Sequence, residues 1–393
     1  MVRLPPLPSW SAALIAAFVG FGGTIALVVQ AFHTLGATVD QTGSAVTALC
    51  LGIAIAGAAL SIRYRMPVVL AWSTPGAALL AAAPAGLPWP VAAAVFAAAA
   101  VMMIAVGVTP ALGRLIERIP ASIASAMLAG VLLPFCLNLF RLGATDPLLI
   151  AALICVFLAA RRRLPLYALI LVLITAVGFT LVRGDMAPLA AGRTFGALSP
   201  VQPRPDLVAI ASLALPLFMV TLVSQNLPGL VVLRSAGYQP RAGALITTTG
   251  FASLLGAPFG AHGINLAAIT AAICTGPDAH PNPDRRWQVG VLYAGFYLAL
   301  AVFAPALVRI FLALPAEVIA SVTGLALIPA LIGAVESMMA DRRDRDPAIV
   351  TFLATGSGLI LWGLGSAFWG LVAGFVALGL KRLLEKPTPP QTV

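Results

Sequence analysis

The stretch GAPFGAHGINLAAITAAICTG, Gly256 to Gly276, is the part of the sequence on which the fold turns. It opens with Gly, Pro, Gly, His and Gly, and only Leu266 to Cys274 reads as uninterrupted helix former. A helix over those residues reaches about 13 Å at ~1.5 Å per residue, less than half of a ~30 Å hydrocarbon core. Yet the surrounding chain reads as membrane. Its 393 residues are 61% hydrophobic and 9% charged, with mean hydropathy +1.03. Soluble domains carry about a quarter charged residues. The apolar blocks are also far too long for barrel strands. The composition therefore predicts an all-α polytopic membrane protein, in which a short helix preceded by bare backbone needs a reason.

Apolar runs separated by charge, Pro or Gly predict about 14 transmembrane segments. Among them are 66–83, 147–160, 206–232, 258–274, 286–304 and 306–335. Leu14 to Val29 continues as a span and not as a cleavable leader. With the N-terminus in the cytoplasm, the basic residues outside are Arg141, Arg183, Arg193, Arg204 and Arg309, and the other 18 of 23 lie inside. That asymmetry predicts both termini cytoplasmic and accounts for the net charge of +10 without nucleic acid. Cys50, Cys136, Cys155 and Cys274 lie in apolar segments with no CxxC spacing, and read as free, buried small hydrophobes.

Two internal pairs suggest a repeat. PALGRLIERIPASIASAMLAGVLLP (Pro110 to Pro134) aligns without gaps to PALVRIFLALPAEVIASVTGLALIP (Pro305 to Pro329), with eight of 25 positions identical. PVVLAWSTPGAALLAAA from Pro67 matches PFGAHGINLAAITAAIC from Pro258 at a similar offset. An odd number of spans, seven, separates equivalent elements, so the sequence predicts two inverted repeats with broken third and tenth spans. That is a transporter signature with the substrate at the midplane. Pro67 to Trp72 and Pro258 to Gly263 are then extended pieces at membrane depth, tolerated only inside protein or beside a cavity. Ser73 or Thr74 caps the first half-helix, with Pro75 in its first turn, and Asn265 caps the second. Two facing helix N-termini would form an anion site needing no basic side chain. The alternative is that Gly and Pro simply kink packed helices.

SQNLPGLVVLRSAGYQP (Ser224 to Pro240), APFGAHGINLAAITAAICTGPDAHPNPDRRW (Ala257 to Trp287) and AWSTPGAALL (Ala71 to Leu80) closely resemble the BenE family of benzoate/proton symporters. The resemblance implies proton-driven import of benzoate or a similar aromatic carboxylate across a bacterial inner membrane. It also implies the seven-plus-seven fold shared with nucleobase and sulfate-type anion transporters. Residues 1–109 and 206–304 would then form a core domain, and 110–205 and 305–393 a gate domain. The expected partners are the aromatic carboxylate, protons and the lipid bilayer, with a homodimer as one assembly open to it. No cofactor, metal or nucleic acid is expected.

Apart from Asp206 at the first position of span 8, none of the acidic residues lies in span 8 or span 10, where nucleobase transporters of this fold carry them. Gln225, Asn226, His262 and Asn265 stand there instead. A carboxylate would repel an anionic substrate, so the expected substrate-binding residues are neutral. They are Thr24, Ser73, Thr74, Gln225, Asn226, Gly263 and Asn265, although Ser, Thr and Asn also glue membrane helices together. Phe21, Trp72, Phe259 and Ile264 flank them as candidate apolar walls for a ring. His262 is the main proton-coupling candidate, beside Glu317 and Glu336, and Glu317 also reads as a helix cap. Asp278, His280 and Asp284 in GPDAHPNPDRRW read as a cytoplasmic turn in preference to a metal site. No HExxH or Asp-rich motif supports an enzyme. Transport of another organic anion or a nucleobase, or a passive anion channel, remains the alternative.

Overall fold

In a computed structural model, residues 5–84, 86–109 and 120–384 are described. The chain is helical, with a single pair of three-residue strands among the described residues. In order, the elements are α1 (Leu7–Gly22), α2 (Ile25–Thr34), α3 (Val39–Tyr64), β1 (Leu70–Trp72), α4 (Thr74–Ala81), α5 (Trp89–Val108), α6 (Ala121–Leu142), α7 (Pro147–Arg163) and α8 (Ala168–Arg183). Then follow α9 (Leu207–Ser235), α10 (Ala242–Gly256), β2 (Ile264–Leu266), α11 (Ile269–Thr275), α12 (Trp287–Leu312), α13 (Ala316–Ala340), α14 (Arg345–Gly356) and α15 (Ser366–Leu384). Among the described residues, ten helical segments are long and apolar enough to cross a membrane. The third and tenth predicted spans are the broken ones, β1–α4 and β2–α11.

The helices pack in two groups. α3 lies along α12 and α5 along α10, with α1, α2, α9 and α11 around them. α6 packs on α13 and α14, and α14 on α15, with α7 and α8 alongside. The groups meet where α4 abuts α6 and α2 abuts α13. Small residues permit the tight pairs inside each group. A Cβ on Gly370 or Gly374 would fall on the hydroxyls of Thr355 or Thr351.

The proline motif is expressed in the structure. Pro120 and Pro315 are the N-cap residues of α6 and α13, and Pro134 and Pro329 lie inside those helices. Pro has no N–H to lose at a helix start and breaks a ladder bond in its interior, so both helices begin and are interrupted at matching places. The expected start of a gate segment at Pro305 is corrected. Pro305 is inside α12, which runs on to Leu312, so the 304/305 boundary cuts a continuous helix. The counterpart boundary at 110 lies outside the described residues.

The segment between Arg183 and α9 crosses one end of the bundle as a strap. Arg309 donates to the carbonyls of Ala190 and Gly192, and Arg193 N–H donates to Asp40. The amides of Gly196, Val201 and Arg204 donate to Val302, Pro258 and Pro90. At the same end the amide of Ala187 donates to Ala313, between α12 and α13, and Gly365 donates to Ser212 Oγ. These bonds gather the starts of α3 and α5 with the end of α12. Three cysteines are buried as expected, while Cys155 is exposed on α7, a helix at the edge of its group.

Candidate functional site

The two broken spans meet in an antiparallel ladder: Leu70 opposite Leu266, Ala71 opposite Asn265, and Trp72 opposite Ile264. Pairing satisfies backbone groups at a depth where lipid offers no hydrogen-bond partner. Side chains alternate along a strand, so Trp72 and Asn265 project from opposite faces. The single pocket expected for both is therefore split.

The first half runs straight from strand to helix. Ser73 is the N-cap of α4, and its Oγ accepts from Gly76 N–H at 3.0 Å. Pro75 stands in the first turn as expected. The anion site narrows as a result: Pro75 has no N–H, and those of Ser73, Gly76 and Ala77 go to Gly263 O, Ser73 Oγ and Ser73 O. Thr74 keeps both its N–H and its hydroxyl without a partner among the described residues. Thr221 Oγ1, in α9, donates to Ser73 Oγ at 2.8 Å. One turn further along the same helix lies Gln225, half-buried and without a side-chain hydrogen bond, inside a π-helical stretch, Leu222–Asn226. Such bulges re-aim side chains and are frequent at functional sites.

Aromatic residues close the flank of this half. Trp72 Nε1 donates to Thr24 Oγ1 at 2.8 Å, and Thr24 sits in the break between α1 and α2. Phe21 packs on Trp72 with ring centroids 5.3 Å apart, and Tyr297 lies at 6.2 Å on another side. Tyr293 donates to Leu70 O.

The second half departs from expectation. Residues 257–259 form a 3-10 turn, so the extended piece begins at Ala261 and reaches Leu266, about three residues later than read from the sequence. Gly260 makes this shift possible. Its φ is +95°, and a Cβ there would meet Trp89 at 2.5 Å and Ala45 at 2.8 Å, so only glycine fits. The helix starts at Ile269 with Ala268 as its N-cap and no side-chain cap. Asn265 is thus a strand residue, not the cap. Its Nδ2 donates to Leu266 O at 3.0 Å, and its Oδ1 is buried without a partner. Asn226 accepts from Leu266 N–H at 3.1 Å, which commits its oxygen to holding β2. Ser253 holds Ile264 by both backbone groups. Gly263 is buried, and Gly52 lets Ile264 approach α3 closely.

His262 is buried between Phe32 and Phe96, at 5.6 and 6.3 Å, and its Nε2 lies 3.1 Å from Ser73 O. Beside it lies a cavity of about 20 Å³, room for about one water. Glu317 and Glu336 are corrected. Both are exposed on α13, so neither is a buried proton carrier. Glu317 stands in the first turn of α13, where an acid suits the helix dipole, although α13 has no side-chain cap hydrogen bond. The loop after α11 is a turn: Arg286 donates to the carbonyls of His280 and Thr275, and His280 Nδ1 bonds to Asn282. Thr221, Ser253 and Tyr293 went unnoticed in the sequence. Thr221 could have been found four residues before Gln225, on the same helix face.

The chain is similar to known membrane proteins over nearly its whole length. The family described as "Benzoate membrane transport protein" (BenE) matches residues 5–380. The chain is 39% identical over 386 residues to the inner membrane protein YdcO of Escherichia coli, covering 98% of both. It is 36% identical over 366 residues to the benzoate membrane transport protein of Acinetobacter baylyi, covering 93% of both. Among solved structures, the transmembrane domain of a cyanobacterium bicarbonate transporter, BicA, aligns with TM-score 0.59 and 13% identity over 94% of this chain and 97% of that one. Murine Slc26a9, in an inward-facing state, aligns with TM-score 0.64 and 13% identity over 98% of this chain and 70% of that one. At such identity the likeness is one of fold.

Proposed function

The chain belongs to the BenE family of benzoate membrane transport proteins, membrane transporters and not enzymes, and from that premise we propose that it imports benzoate or a similar aromatic carboxylate with protons. The observation that carries this reading is the pair Thr74 and Gln225. Both are half-buried and make no side-chain hydrogen bond among the described residues, and they sit on α4 and α9, each of which abuts α6. A carboxylate placed there takes the Thr74 N–H, the Thr74 hydroxyl and the Gln225 amide, each hydrogen bond to the charge contributing ~1.5–3 kcal/mol. The positive end of α4 adds to this, and neither α4 nor α9 carries an acid to oppose it. Phe21 and Trp72 supply an apolar flank for the ring. His262 is the proton-carrying side chain.

In this reading α1–α5 with α9–α12 form the core, α6–α8 with α13–α15 form the gate, and movement of one against the other exposes the site alternately. The strap faces outward and both termini face the cytoplasm of a bacterium, following the arginine bias. Purified protein in vesicles should accumulate labelled benzoate under an inward proton gradient and lose that accumulation on adding a protonophore. Flux that follows voltage alone, indifferent to the proton gradient, would make the protein a passive anion channel.

A further inference from the structure

The tautomer of His262 is fixed by its partner. Its Nε2 lies 3.1 Å from the carbonyl oxygen of Ser73, and a carbonyl can only accept. Nε2 therefore carries the hydrogen, and Nδ1 presents a bare lone pair. That Nδ1 is buried with no partner among the described residues, on a residue only 2% exposed. The ring borders the small cavity that Thr221, Met103 and Ser253 also line. Ser253 has its hydroxyl committed to backbone groups. Thr221 donates to Ser73 Oγ and keeps a free lone pair. One water in this space can thus donate to both His262 Nδ1 and Thr221 Oγ1.

We propose that this cavity is the proton site of the transporter, and that His262 Nδ1, not Nε2, takes the proton from water-borne hydronium held against Thr221. The Nδ1 lone pair forms the new N–H bond, an O–H bond of the hydronium breaks, and neutral water remains. Nε2–H stays on Ser73 O throughout, and that hydrogen bond becomes charge-assisted. Ser73 is the residue before Thr74, so the new positive charge adds to the helix end where the carboxylate sits. Anion and proton therefore favour each other's binding, reciprocally. Nothing nearby competes for this role. The elements packed around the ring, α2, α4, α5, α9 and α10, carry no carboxylate, and their other ionisable side chains are His33 and Arg234, each at the end of its helix.

The proposal rests on the transport reading, and the experiment separates the two. The chain has three histidines, so nitrogen NMR of histidine-labelled protein, assigned with His262→Gln, can read each ring. In neutral His262 the hydrogen should sit on Nε2, and adding benzoate at about pH 6 should protonate Nδ1, with a proton taken up from the buffer. Wild-type affinity for benzoate should rise about tenfold between about pH 8 and pH 6, within the usual range of site–site coupling, and should stay flat in His262→Gln. Thr221→Val should flatten it too, and Thr221→Ser should restore it. An Nδ1–H tautomer, or equal affinity at both pH values without proton uptake, overturns the proton site alone. Failure to bind any aromatic carboxylate at either pH overturns the transport reading with it.

Discussion

β1–α4 and β2–α11 cross in one ladder, yet they are finished differently. In the first half a single residue, Ser73, separates strand from helix, and its side chain caps α4. Capping consumes the donors of the first turn selectively and leaves Thr74 free. In the second half two alanines separate strand from helix, no side chain caps α11, and the helix is only seven residues long. Its polar neighbours mostly hold the strand: Asn226 bonds Leu266, Ser253 bonds Ile264 and the Asn265 Nδ2 bonds Leu266, leaving only Asn265 Oδ1 unpaired in this set among the described residues. Near-identical backbone plans thus yield one half that presents groups to a ligand and one half held rigid by its own side chains. Chemical likeness of Asn, Ser and Thr in the sequence hides that division.

Substitution can break the comparison. The largest effect is expected from Asn226→Ala, which strands the buried Leu266 N–H; an unsatisfied buried group costs ~1–3 kcal/mol. Thermal unfolding should show a clear loss, and unchanged stability would mean that β2 does not depend on this side chain. Thr74→Ala and Gln225→Ala should behave in the opposite way. Stability should move by only ~0.5 kcal/mol, since neither side chain holds a hydrogen bond in the fold, while benzoate binding should fall about tenfold for a lost hydrogen bond to charge. Wild-type affinity in both would place the carboxylate elsewhere. The smallest effect lies outside the crossing. Asp146 pairs with Arg183 and caps α7 through Leu149 N–H, and the Arg183 guanidinium holds its carboxyl below the ordinary carboxylate value. A lowered value contributes stability above the unfolded-state value, lost as pH falls through the folded one. Asp146→Asn should therefore reduce the acid sensitivity of unfolding slightly, since exposed pairs contribute little. Equal acid slopes in both proteins would show that the pair contributes nothing.

Much of the fold was legible because its signals are local. Hydropathy gave the spans, and the repeated prolines at 120 and 315 mark helix starts that the structure shares. Breaks at Pro67 and Pro258 were legible for the same reason, since Gly and Pro act on their own backbone. Register was harder. GINLAA reads as a cap followed by helix, but ladder pairing with β1 holds Asn265 extended and delays the helix to Ile269; a contact with a strand almost two hundred residues away leaves no mark in the local sequence. The site was legible as a list of residue types and not as a set of partners. Thr24, Ser73 and Asn226 satisfy Trp72 or backbone groups, whereas Thr74 and Gln225 remain available. Glu317 and Glu336 looked like buried acids only because their helix is apolar overall; each occupies its exposed side.

The strap and the short turn after α12 also set a mechanical limit. Only Ala313, Leu314 and Pro315 join α12 to α13, and a fully extended chain reaches about 3.3–3.6 Å per residue. The facing ends of those helices can therefore separate by little more than about 14 Å, even with every bond between them broken. From Arg183, paired to Asp146, to Ala190, held by Arg309, the leash is longer, with a reach of about 25 Å on the same arithmetic. Two tethers of unequal length at one rim make the shorter one the pivot. On the alternating-access reading proposed above, wide parting is left to the opposite rim, where Arg63, Arg234 and Arg342 lie.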